Sequence, residues 1–192
     1  MTITLEKTIA NNSSFMLSGI AWEQLESLES AFANIAGVRL TYLDGYLDIM
    51  TLSQEHEDIK STIGLLLETY LRENQIRFYK RGSATLGDKA IAARKEPDES
   101  YNLMTRKAIP DLVIEVIISS GSLNILEIYQ RLGVPEVWLW KDEQLQVYCL
   151  QNIYYQSEQS QLLPHLPLAQ LNQYINHQDQ YDAIVAFTQS LR

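Results

Sequence analysis

Two acidic side chains carry the chemical promise of this sequence. Asp98 lies in Glu96-Pro97-Asp98-Glu99, and Glu115 lies in the middle of Pro110-Asp111-Leu112-Val113-Ile114-Glu115-Val116-Ile117-Ile118. The second stretch is apolar on both faces of an extended chain, so it reads as a strand buried within a sheet. A carboxylate there needs a cation, a hydrogen-bond network or a raised pKa. If the Asp98 segment is the neighbouring strand, the two carboxylates face each other and can hold one divalent ion. Such an ion polarises a phosphodiester and acidifies a bound water. The alternative is a surface turn at Asp98 and an internal arginine beside Glu115.

Asp111 shares a strand face with Glu115 but lies about 13 Å away at strand rise, too far to share an ion. It starts the strand or accepts from a backbone amide, with a supporting role at the site as the alternative. His56 falls in the first turn of a long helix, where it is either a surface or cap residue or faces a metal or phosphate at the helix N-terminus. Lys60 follows one turn later and pairs with Glu57 or with solvent. Arg72, Arg77, Lys80 and Arg81 form a basic cluster, read either as a solvated helix end and strand or as a local contact for nucleic acid. His165 and His177 sit in polar tail segments without partner spacing. Zinc spacings, phosphate-cradling glycine loops, nucleophile elbows and dinucleotide fingerprints are absent from the sequence.

These residues must be positioned by a mixture of strands and helices. The spacing predicts a helix over about 20–32, with Trp22, Leu25, Leu28 and Phe32 on one face. Asp44-Gly45 between Val38–Leu43 and Tyr46–Thr51 is a hairpin signal. Ser53 caps a long helix carrying Ile59, Ile63, Leu66, Leu67 and Tyr70 at helical period. Strands are expected at 76–79, within 85–95 and at 98–103. Pro110 opens the buried strand. A helix over 123–132 ended by Gly133, then a strand at 136–140, make a parallel crossover. Leu145–Leu150 and Ile153–Tyr155 suggest a closing hairpin, and a last helix is expected near 182–191. Residues 1–17 read as a mobile or edge segment.

The chain of 192 residues suits one domain, 1–192, with a core at about 18–150 and a C-terminal extension at 151–192. A net charge of −9 excludes bulk electrostatic coating of nucleic acid, though not local contact. No apolar run approaches the roughly 20 residues of a membrane span, and no leader is apparent, so a cytoplasmic location and no membrane partner are expected. The lone Cys149 reads as a small buried apolar group in a reducing compartment.

The motifs recur together in one family. Leu43-Asp44-Gly45-Tyr46-Leu47-Asp48-Ile49-Met50, Glu55-His56-Glu57, Glu96-Pro97-Asp98-Glu99-Ser100-Tyr101, the strand from Pro110 to Val116, and the run from Leu126 to Trp138 containing Gly133-Val134-Pro135-Glu136-Val137-Trp138 resemble the Uma2 family. The resemblance runs in order from about residue 18 to 150. It implies an α/β fold of the restriction-endonuclease-like kind, a mixed β-sheet flanked by helices, within the PD-(D/E)xK nuclease superfamily. It further implies an endonuclease using Mg2+ (or Mn2+), with Asp98 and Glu115 as metal ligands and His56 as a third catalytic residue. Nucleic acid, DNA before RNA, is the implied substrate. One departure stands out. The superfamily lysine two positions after the acidic residue is Ile117 here, and the position at which the family usually supplies its lysine, four before Tyr129, is Ile125. Lys60 or Lys95 is a possible substitute.

Three readings therefore enter the structural comparison. The first is a metal-dependent nuclease. The second is a catalytically weakened relative that binds nucleic acid or protein, for which Ile125→Lys would restore cutting. The third is an interaction protein whose melting temperature ignores magnesium. A homodimer fits the first reading, and Trp138-Leu139-Trp140 with the tail helix offers either its surface or further core.

Overall fold

A computed structural model of the chain describes residues 13–118 and 123–192. Among these, β1 (Ser14–Leu17), α1 (Trp22–Phe32), β2 (Val38–Leu43), β3 (Tyr46–Thr51) and α2 (Gln54–Glu73) come first. They are followed by β4 (Phe78–Lys80), β5 (Leu86–Asp88), β6 (Ala93–Lys95), β7 (Glu99–Leu103) and β8 (Leu112–Ile117). The rest is α3 (Ile125–Leu132), β9 (Glu136–Lys141), β10 (Gln144–Leu150), β11 (Tyr154–Ser157), α4 (Leu168–Ile175) and α5 (Gln180–Ser190). The expected α/β architecture is present, with the strands divided between two sheets. One has the order β1-β3-β2-β6-β5 and is antiparallel throughout; the other has the order β11-β10-β9-β8-β7-β4 and is mixed.

The division has a local cause. Between Lys95 at the end of β6 and Glu99 at the start of β7, the chain carries Pro97, which has no N–H for a ladder. The chain turns there from the first sheet to the second. Lys95 therefore ends a strand of one sheet and Asp98 precedes a strand of the other. The β2–β3 turn follows its sequence: Asp44 has φ 48° and Gly45 φ 84°, the two left-handed positions of a tight hairpin.

The second sheet is covered on both faces. On one, α2 buries Ile63, Leu66, Leu67 and Tyr70 against Tyr101, Leu112, Ile114 and Trp138, and Leu171 of α4 and Phe187 of α5 join the same cluster. On the other, Ile125 and Tyr129 of α3 pack on Val113, Val137 and Leu139. Strand β9 pairs parallel to β8 and antiparallel to β10, as the crossover predicted. Its central position buries Trp138, Leu139 and Trp140, so these residues are core and supply no dimer surface. The helix α4 was not foreseen: Pro167 at its N-cap and the polar run Gln-Leu-Asn-Gln hide its period. None of the described helices is long and apolar enough to cross a membrane.

Candidate active site

The register between β7 and β8 decides where the two acids go. Glu99 is opposite Ile114 and Ser100 opposite Val113 in an antiparallel ladder. One step outward, Asp98 sits in the bend that precedes β7, and the Val116 N–H donates to it, which places it beside Glu115. Glu115 shares its strand face with Val113, so it points away from the body of α2 and toward α3 and the first sheet. Both are buried, Asp98 at 6% and Glu115 at 3% exposure. The surface-turn alternative for Asp98 therefore fails.

Among the described residues, Glu115 has no arginine beside it. Its Oε2 lies 3.1 Å from Nζ of Lys95, itself buried, and its Oε1 accepts a hydrogen bond from the Tyr129 hydroxyl on α3. Asp98 uses Oδ2 twice: it accepts from the Val116 backbone N–H at 2.8 Å and from His56 Nε2 at 3.0 Å. His56 is presented there by the start of α2, whose N-cap Ser53 accepts from the His56 N–H. The His56 ring is buried and, among the described residues, its Nδ1 has no hydrogen-bond partner; a carboxylate oxygen of Glu57 is 3.7 Å away.

A third carboxylate reaches the same interior. Thr41 pairs across β2 with Asp48 on one side and with Lys95 on the other, which sets Asp48, Thr41 and Lys95 in a row across the first sheet. Asp48 is buried and accepts from Ser14 Oγ at 2.5 Å. Three carboxylates thus surround one ammonium. Burial opposes charge on Lys95, but Glu115, Asp98 and Asp48 together hold it protonated above its ordinary range. Burial also opposes charge on His56, and Asp98 outweighs it, so the ring's pKa is raised. Asp98 is lowered because His56, Lys95 and the Val116 amide outweigh its own burial. Glu115 is pushed up to about 7, first by burial and further by Asp98, with Lys95 and Tyr129 offsetting only part of this.

A small cavity of about 30 Å³, room for a water, opens beside these groups; Asp48, His56, Lys95, Glu115 and Ile125 are among its lining. Ile125 meets the cavity with an apolar side chain at 7% exposure, where a lysine would have put a cation. Lys95 supplies the cation from the opposite sheet instead. Asp48 and Tyr129 were missed as site residues. Asp48 reads as one more polar position in a hairpin, and Tyr129 as part of an apolar helix face, until the two sheets are brought together.

Other sequence candidates lie elsewhere. Asp111 binds the Leu103 N–H at 2.8 Å and Lys107 Nζ at 2.6 Å, which is the strand-start role. Lys60 pairs with Glu57. Arg72 and Lys80 pair with Glu68, and Lys80 also with Glu99. His165 and His177 are exposed in the tail. Cys149 is buried 3.6 Å from Glu136 Oε2.

A family model supplies the decisive comparison, matching residues 22–176 and described as "Putative restriction endonuclease", Uma2. The chain belongs to the Uma2 family. The match extends the sequence resemblance beyond residue 150 into the tail. Among solved structures, this Uma2 chain is similar to one from Anabaena variabilis described as "a putative nuclease belonging to DUF820". The identity is 16% and the TM-score 0.45, over 77% of this chain and 90% of that one. A search of the curated proteins finds no match.

The site residues of this Uma2 protein suit a hard divalent ion. Among the described residues no three His, Cys, Asp or Glu side chains converge as a ready-made cage. An ion of the magnesium type needs only one or two carboxylates and keeps several waters. Asp98 and Glu115 provide such a pair, and Asp98 Oδ1 carries no hydrogen bond among the described residues.

Proposed function

We propose that this protein is a metal-dependent nuclease, with Asp98 and Glu115 holding a magnesium or manganese ion. The observation that carries the reading is the proximity of these two buried carboxylates, Asp98 bound to the Val116 N–H next to Glu115, with the Lys95 ammonium 3.1 Å from Glu115. A bound divalent ion would supply Lewis-acid polarisation of the phosphodiester and a more acidic water. The protein's own groups do the rest. Lys95 brings a permanent positive charge from the first sheet toward the negative charge that develops on phosphate oxygens, the role left open by Ile125. His56 fixes Asp98 through Nε2 and leaves Nδ1 able to hold a proton or a water. Tyr129 donates to Glu115 and orients its carboxylate. The low polarity of Ile117 and Ile125 beside the cleft strengthens each of these interactions.

Incubation of purified protein with plasmid DNA, and separately with RNA, in magnesium or manganese tests the reading. Cutting is expected from the wild type and is expected to vanish in Asp98→Asn and Glu115→Gln. Cutting that persists in Glu115→Gln at wild-type rate would refute it. A second reading is favoured by one observation: both oxygens of Glu115 are already engaged, by Lys95 and Tyr129. In that reading the chain binds nucleic acid or a protein and cuts weakly or not at all. A gain of cutting in Ile125→Lys would favour it.

A further inference from the structure

The edge strand β4 carries a surface that the site does not use. Its ladder with β7 continues beyond the strand at both ends, through Met104 N–H to Arg77 C=O and Arg81 N–H to Ser100 C=O. Arg77, Tyr79 and Arg81 therefore alternate onto one face. Tyr79 is opposite Asn102, and Arg81 opposite Ser100, so the strip runs along β7 toward Asp98, two residues before Ser100. The intervening residues Phe78 and Lys80 point to the α2 side, where Lys80 is held by Glu68 and Glu99. The loop after β7 adds Arg106, whose guanidinium stacks 5.0 Å over the Tyr79 ring. Arg77, Arg81 and Arg106 are exposed, and among the described residues none of the three is paired with a carboxylate. Both hydrogen bonds of Arg81 leave from Nη1, to Asn102 Oδ1 at 2.9 Å and Lys107 C=O at 2.7 Å. A groove of about 590 Å³ runs along Tyr79, Lys80, Arg81 and Arg106.

In a chain of net charge −9, three unpaired arginines on one strip are a local reversal of sign. From this arrangement we infer that the Arg77–Tyr79–Arg81–Arg106 strip binds the sugar–phosphate backbone of a nucleic acid and leads it toward the Asp98–Glu115 cleft. The partner's chemistry follows from the strip. Planar guanidinium groups match phosphate oxygens, and an aromatic ring between them offers a stacking surface for a base. Along the sheet, Tyr79 is about 13 Å from the level of Asp98, counting four residues at strand rise. That span is roughly four nucleotides at 3.4 Å per step, so one bound strand can cover both places. The inference rests on the nuclease reading for the identity of its ligand, but its test does not depend on cutting.

The test is anisotropy titration of a labelled oligonucleotide, single-stranded and duplex, in EDTA over a salt series. The double variant Arg77→Gln/Arg106→Gln removes two exposed charges without touching the core. Binding is expected to weaken about tenfold, and the slope of log K against log salt is expected to fall by about 1.4 for a single strand. Lys89→Gln removes an exposed cation that follows β5 of the first sheet and pairs with Glu23 of α1; it is the control and is expected to bind as wild type. Equal melting temperatures establish that the variants are folded. Unchanged affinity and slope in the double variant would overturn the inference while leaving metal-dependent cutting to stand. Absence of binding by the wild type to either oligonucleotide would also overturn it. Loss of binding in the double variant, in a protein that never cuts, would retain the surface and remove the hydrolytic reading.

Discussion

At the scale of single residues, the site is a problem of uncompensated charge. Lys95 is the only cation placed against Glu115 among the described residues, and both are buried. Removing one partner of such a pair leaves a buried charge, which typically costs about 3–5 kcal/mol. Here the loss depends on pH, because Glu115 can escape by taking a proton. Its folded pKa of about 7 lies above the ordinary 4.5, so the folded state binds that proton more tightly than the unfolded chain does. The resulting stabilisation is complete below pH 4.5 and disappears as pH rises through 7. Lys95→Met raises the carboxyl further by removing its ammonium. The variant should therefore be mildly destabilised at pH 5.5 and severely at pH 8, measured by urea unfolding without metal. A Lys95→Met variant equally stable, relative to wild type, at both pH values would show that Glu115 is not the group left exposed to the loss.

At the scale of elements, the position of Lys95 depends on how β6 is gripped. Strand β5 lies against it with Gly87 opposite Arg94. Gly87 has φ 97°, and a Cβ there would stand 2.1 Å from the Ala93 carbonyl oxygen. Neither the conformation nor the space admits a side chain. Gly87→Ala should separate β5 from β6 and shift Lys95, so the proposed cutting should fall steeply while α2 and the second sheet remain folded. Amide exchange would show protection lost in 86–95 and retained in 112–117; uniform protection would refute the assignment. This element also shows how far a sequence can be read. The β2–β3 hairpin, the Ser53 cap, the buried strand β8 and the β8–α3–β9 crossover were all legible, because turn chemistry and periodicity are local. The facing of Asp98 and Glu115 was legible as a condition on strand adjacency. The meeting of Lys95, Asp48 and Tyr129 was not, since it arises where two sheets and a helix converge and no spacing along the chain encodes it.

At the scale of the whole molecule, the tail is bound into the structure by a second buried acid. Glu136, 1% exposed on the central strand β9, accepts from Trp138 Nε1 at 2.7 Å and Ser160 Oγ at 2.6 Å. It also accepts from the backbone N–H groups of Gln161 at 2.8 Å and Leu162 at 3.2 Å. The segment after residue 150 thus satisfies the carboxylate, and α4 and α5 then cover the α2 side of the core with Leu171 and Phe187. A chain ended after Leu150 would leave Glu136 without three of these four donors and would expose the apolar faces of Leu66, Leu67 and Trp138. Burial of a large apolar side chain is worth about 1.5–3 kcal/mol, and whole-domain stability is only about 5–15 kcal/mol, so the shortened chain should lose its cooperative transition. Glu136→Ala is a milder version of the same lesion. It strands several buried donors, at about 1–3 kcal/mol for each group left unsatisfied, and should lower the urea midpoint without abolishing folding. If the chain ended at Leu150 melts cooperatively at the wild-type temperature, the tail is an appendage and residues 18–150 fold alone. If it binds a hydrophobic dye and melts without a transition, the nuclease-like site and the tail are one folding unit, and the carboxylate on β9 is the clasp between them.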